Sequence, residues 1–196
     1  MMDHFVIEMN IFKKIQKFLK RLFMESDEPC LEETTLCAQS GNKVYVGLGY
    51  FGNHYLIQLT SVFARILQTF PVRSLTYIVP KEKLEENEKM YGPHPFRERF
   101  KRRGNNYYAE FNVEKDLTER TLLLGKGFRP LADLLIRGAR FRFNGTEIKL
   151  LDSKEGSFML IKTKKPQVWV EFFRELYGGE PFFEEISAEK IKKFLK

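Results

Sequence analysis

Apolar residues follow two rhythms along this chain, and each rhythm predicts a different element. Ile11, Phe12, Ile15, Phe18, Leu19, Leu22 and Phe23 recur every three to four positions, with Lys13, Lys14, Lys17, Lys20 and Arg21 mostly on the other side. That spacing predicts an amphipathic helix behind an Asn10 cap, preceded by a short strand at Phe5-Val6-Ile7. Such a helix either lies on a membrane or partner surface or packs on the body with a solvated basic side; the second is the simpler reading. Glu25–Glu33 is acidic and reads as a loop, and Leu31–Ser40 shows no clear period.

Lys43–Val46 predicts a strand and His54–Phe70 a helix that buries Leu56, Leu59, Val62, Phe63, Ile66 and Leu67 before Pro71 ends it. Arg73–Val79 is a second strand, closed by Pro80, and Lys81–Met90 a charged helix. The aromatic and β-branched run Tyr107–Val113 predicts another strand, and Pro130–Ile136 a further helix. Arg140–Phe143 and Thr146–Leu151 flank Asn144-Gly145, which fits a type I′ hairpin turn. Ser157–Thr163 is strand-like, Gln167–Tyr177 helix-like before Gly178-Gly179, and a last helix follows Ser187 with Ile191, Phe194 and Leu195 on its apolar side. The expectation is one α+β domain over 1–196, with 1–24 as an N-terminal extension and a twisted, mostly antiparallel mixed sheet flanked by helices.

Composition narrows the classes. Hydrophobic residues make up 43% and charged residues 30% of the 196 positions, which suits a folded chain rather than a disordered one. The abundance of Lys, Arg and Glu leans toward a thermophile. A net charge of +7 favours polyanionic partners: phosphates, nucleotides, nucleic acid or anionic lipid. Cys30 and Cys37 are the two cysteines, and His4, His54 and His94 are scattered, so no metal-ligand set is expected. Two reduced cysteines are the simpler expectation, with a short Cys30–Cys37 disulfide left open. Lysines interrupt every apolar stretch of Met1–Phe23, and no run is long enough to span a bilayer, so a cytoplasmic protein is the default expectation and a homo-oligomer stays open.

The strand Ser157–Thr163, the turn Lys164-Lys165-Pro166, the helix ending in Tyr177 and the following Phe182 together resemble the C-terminal half of GCN5-related N-acyltransferases. The chain also resembles a small family from archaea and deep-branching bacteria whose fold is placed with them. The resemblance implies transfer of an acyl group from acetyl-CoA or another acyl-CoA to an amine by direct attack. It makes Tyr107–Val113 a central strand whose Glu110 relays the amine proton, and Tyr177 the donor to the departing thiolate. It assigns the pyrophosphate to a loop of Gly125, Lys126, Gly127, Phe128 and Arg129, whose amides would open a helix. It also makes the Asn144-Gly145 hairpin an insertion. Arg120 stands two residues further from the first glycine than that family's pattern, and Pro181 replaces the glycine before the phenylalanine.

Two other readings compete. Phe96-Arg97-Glu98-Arg99-Phe100-Lys101-Arg102-Arg103, then Tyr107-Tyr108, interleaves cations and rings as a single-stranded nucleic-acid-binding module does, and Lys162, Lys164 and Lys165 could extend such a surface. Gly47-Leu48-Gly49-Tyr50-Phe51-Gly52 matches the dinucleotide-binding Gly-x-Gly-x-x-Gly, but no acidic residue occurs between Gly52 and Glu82 to hold a ribose.

Overall fold

The computed structural model describes residues 34–48, 55–94, 96–116, 136–151, 157–178 and 182–195. The segment 1–24, Cys30, Gly49–Gly52, Arg120, the loop 125–129 and Pro130 lie outside them. All described elements belong to one unit, Glu33–Lys196.

Strands β1 (Thr35–Ser40) and β2 (Lys43–Leu48) form a first hairpin. Helix α1 (Tyr55–Thr69) leads to β3 (Ser74–Pro80), and α2 (Lys81–Tyr91) follows without a gap. A single 3-10 turn at Arg97–Arg99 precedes β4 (Lys101–Arg103), β5 (Asn106–Asn112) and the short α3 (Val113–Asp116). The second hairpin is β6 (Arg140–Phe143) and β7 (Thr146–Leu151). Then come β8 (Ser157–Lys162), α4 (Pro166–Tyr177), β9 (Phe183–Glu185) and α5 (Ala188–Lys193).

The nine strands form one sheet in the order β4-β5-β3-β6-β7-β8-β2-β1-β9. Every pairing is antiparallel except β1 with β9. The α+β class and the mostly antiparallel sheet therefore match the expectation. Its internal order does not. Tyr107–Val113 was expected at the centre, yet β5 lies one strand from the margin, and β3, β6 and β7 separate it from β8. The Asn144-Gly145 hairpin, expected as an insertion, supplies the middle of the sheet instead. The reason is long-range: β6 pairs with β3, and β7 with β8. The turn itself is as predicted, since Asn144 (φ 49°) and Gly145 (φ 72°) both take the left-handed conformation of type I′.

Three strands escaped the sequence pattern: β1, β9 and β4. β1 is six residues without clear alternation, and β9 is three residues whose pairing partner lies far away in the chain. The basic run also becomes partly strand, as β4.

Alternation sends Phe111, Ala109 and Tyr107 of β5, Leu75, Tyr77 and Val79 of β3, Phe141 and Phe143 of β6, and Ile148 and Leu150 of β7 to one face. Met159 and Ile161 of β8 and Val44, Val46 and Leu48 of β2 join them. Val62, Phe63, Ile66 and Leu67 of α1, Leu84 of α2, and Trp169, Val170, Phe172 and Phe173 of α4 cover this face. Phe63 meets Phe141 at 4.6 Å between ring centres, and Phe70 stacks on Trp169 at 4.3 Å. Burying side chains of this size is worth about 1.5–3 kcal/mol each, which is what holds the sheet against its helices. Helix α4 stops where Gly178 turns left-handed (φ 78°) after Tyr177. On the opposite face, α5 covers only the β1–β2 end, through Ala38, Tyr45, Ala188 and Ile191. Its N-cap is Ser187, as predicted, whose Oγ accepts from the Lys190 amide.

Cys37 is a free, fully buried thiol on the core face. Burial pushes its pKa up to about 12; Glu185 adds to the rise and Arg174 opposes it.

Candidate functional site

On the face turned away from the main core, polar side chains fall into register. Glu110 of β5, Thr76 of β3, Arg142 of β6, Glu147 of β7, Lys162 of β8 and Lys43 of β2 are successive cross-strand partners. A parallel row two residues away runs through Tyr108, Arg140 and Lys149, with two apolar members, the fully buried Ile78 between Tyr108 and Arg140, and Leu160 beyond Lys149. The same alternation that buries Phe141, Phe143, Ile148 and Leu150 places Arg140, Arg142, Glu147 and Lys149 here.

Within the first row, Thr76 Oγ1 donates to Glu110, 2.9 Å and 3.0 Å from its two carboxylate oxygens. Arg142 Nε donates to Glu147 Oε2 at 2.6 Å, with Arg142 half exposed and Glu147 only 17% exposed. Other cations are matched less well. Arg140 stands directly opposite Lys149, and Lys43 directly opposite Lys162. Like charges facing each other across antiparallel strands destabilise the pair.

A shallow trough of about 760 Å³ runs over the first row at the hairpin-tip end of the sheet. Arg140, Arg142, Lys162 and Lys164 line it with Glu147, and Asn42, Ser74, Thr76 and Asn144 add hydroxyl and amide groups. Arg140 and Arg142 share β6, while Lys162 of β8 lies two strand steps away across Glu147, roughly 9.6 Å. Two residues along one strand put Arg140 and Arg142 roughly 7 Å apart, inside the ~10 Å screening length at 0.1 M salt, so their potentials add, whereas Lys162 lies near its limit. Chemically, the trough can hold an extended anion by charge and by hydroxyl or amide hydrogen bonds.

The basic run divides between two tasks. Arg97 lies over the Tyr107 ring at 4.6 Å and pairs with Glu88 at 3.2 Å. Arg99 pairs with Asp116 at 2.6 Å and lies over Phe96 and Phe111. Its hydrogen bond holds the Asp116 carboxyl below the ordinary carboxylate range. These two arginines hold the 3-10 turn onto the core. Lys101 and Arg103 instead share the polar face, opposite Tyr108 and Asn106. The Tyr107-Tyr108 pair is split as well: Tyr107 is buried in the core, and Tyr108 is half-buried on the polar face.

Glu110 and Tyr177 do not meet. Glu110 is exposed on the polar face of β5. Tyr177 packs against the main core from α4, which contacts β1, β2 and β9. Five strand steps separate β5 from β2, roughly 24 Å at ordinary spacing, and the two side chains serve opposite faces. The cofactor residues Gly125, Lys126, Gly127, Phe128 and Arg129 lie outside the described residues. Gly47 of the dinucleotide-like loop has a packing reason to be glycine. A Cβ there would stand 2.8 Å from the ring of Phe158 on β8. Around it the sheet is antiparallel, not the parallel doubly wound sheet that fingerprint serves.

Among the described residues, no group of three or more His, Cys, Asp or Glu could hold a metal ion, and no helix is long and apolar enough to cross a membrane. Arg140, Arg142, Glu147 and Lys149 were not singled out from the sequence. Their signal was present in the alternation RFRF and TEIKLL about the Asn-Gly turn. No protein-family model, no curated protein and no solved structure matches the chain.

Proposed function

We propose that the protein binds nucleic acid, with the phosphate backbone lying across the polar face of the sheet over Arg140, Arg142, Lys149 and Lys162. The observation that carries this reading is the opposed pair Arg140 and Lys149 on one face, since Lys162, although opposite Lys43, also faces Glu147. An isolated protein gains nothing from that arrangement. A bound polyanion turns that repulsion into shared attraction. The row extends over several strands, which suits a chain of phosphates better than one compact phosphate cluster. Thr76, Ser74, Asn42 and Asn144 supply the neutral hydrogen bonds that position a backbone without reading its sequence.

The acyl-CoA reading requires Glu110 and Tyr177 around one reacting carbonyl. Their placement on opposite faces, several strands apart, gives it no support from the described residues, and its pyrophosphate loop is not among them.

The deciding experiment is titration of the full chain with a labelled oligonucleotide, acetyl-CoA and NADH. Binding of the oligonucleotide that weakens steeply with salt, and is lost in Lys149→Glu/Lys162→Glu, is the expected result. Tight acetyl-CoA binding unaffected by that double variant would replace this reading with the acyltransferase one.

A further inference from the structure

Resting on the nucleic-acid reading, we propose that Arg103 and Tyr108 form a stacking station for one unpaired base, so that the face selects single strands over duplex.

Three observations converge on this pair. Arg103 lies over the Tyr108 ring, its Cζ 5.5 Å from the ring centre. Both residues project onto the face that carries Arg140 and Lys149, and Tyr108 shares their cross-strand row through Ile78. Among the described residues, no carboxylate forms an ion pair with Arg103, whereas Arg97 and Arg99 of the same basic run are held by Glu88 and Asp116. Arg103 is exposed. Its planar guanidinium therefore lies exposed beside an aromatic ring, with donors to spare.

The position also fits the backbone path. Tyr108 lies two strand steps from Arg140 and three from Lys149, roughly 10 Å and 14 Å. A base on the Arg103 plane thus leaves its strand's phosphates within reach of Arg140 and Lys149, passing over the fully buried Ile78 between Tyr108 and Arg140. Duplex bases are already stacked on each other and cannot lie flat on such a plane, whereas unstacked bases can. Charged residues on a short edge strand also discourage edge-to-edge pairing. That role needs charge alone, and Lys fulfils it as well as Arg.

The test uses the full chain, a single strand carrying 2-aminopurine, and a duplex of the same length. Wild type is expected to prefer the single strand and to quench 2-aminopurine emission on binding. Arg103→Lys keeps the charge and loses the plane. It should weaken single-strand binding by about 5- to 100-fold and abolish the quench, with duplex affinity nearly unchanged. Tyr108→Phe keeps the ring and should behave as wild type, while Tyr108→Ala should follow Arg103→Lys. Thermal melts confirm that each variant is folded. If Arg103→Lys binds and quenches like wild type while Lys149→Glu/Lys162→Glu loses binding, the stacking station is wrong and the phosphate reading stands. If wild type binds neither strand form, both fall together.

Discussion

Arg140 and Lys149 face each other across the β6–β7 hairpin, on the same side of the sheet, as directly paired residues. Two positive side chains at the centre of a sheet cost stability unless something negative comes between them. Replacing Lys149 by Glu should therefore stabilise the free protein by about 0.2–1 kcal/mol while weakening its hold on an oligonucleotide. Urea denaturation at low salt reads the first effect and anisotropy the second. The stability gain should shrink as salt rises, because these groups are partly solvated. A variant that is both less stable and equally tight in binding would contradict the role given to this pair.

Phosphate contacts leave a quantitative trace in salt. If Arg140, Lys149 and Lys162 each neutralise one phosphate of a single strand, while Arg142 stays paired with Glu147, the logarithm of affinity should fall against the logarithm of salt with a slope of about −2. Lys162→Gln should flatten that slope by about 0.7. Arg97→Gln should leave it alone, since Arg97 is engaged with Glu88 and Tyr107.

Gly145 sits in the tip of the central hairpin with φ 72°, beside Asn144 at φ 49°. No neighbouring atom lies within 4 Å of where its Cβ would go, so a substitution meets only backbone strain. Gly145→Ala should cost about 1–2 kcal/mol, seen as a lower unfolding midpoint. Because the hairpin carries Arg140, Arg142, Glu147 and Lys149, oligonucleotide affinity should fall with it. Unchanged stability would mean that the turn is not type I′ in solution.

Cys37 should resist thiol reagents. With its pKa pushed up to about 12 by burial, the thiolate is scarce at neutral pH and the side chain has no exposed surface. In a Cys30→Ser background, Ellman's reagent should label the native protein far more slowly than the urea-unfolded protein. The sign of the stability effect follows from the raised value. The folded state keeps its proton where the unfolded thiol, near pH 9, loses it. The stability from neutral Cys37 is thus fully present below about pH 9 and lost as pH rises toward about 12. Rapid labelling of native protein at pH 7 would show the β1–β9 margin open to solvent.

Most elements were legible because their signals are local. The Asn-Gly turn, the three-to-four spacing of Val62, Phe63, Ile66 and Leu67, and the Ser187 cap each act within a few residues. The candidate face was half legible. Alternation in RFRF and TEIKLL already separates Arg140 and Arg142 from Phe141 and Phe143. The charge run Phe96–Arg103 read as one basic surface, but packing divides it, burying Phe100 and Tyr107 and turning Arg103 and Tyr108 outward.

The chain on its own determined which side chains share a side of each strand, because successive residues of an extended backbone point opposite ways. It could not determine which strands become neighbours. That choice belongs to contacts between residues far apart in the chain, such as Thr76 with Arg142 and Glu147 with Lys162. Only that pairing draws Arg142, Lys162 and Lys43 into one line, and sets Glu110 and Tyr177 apart.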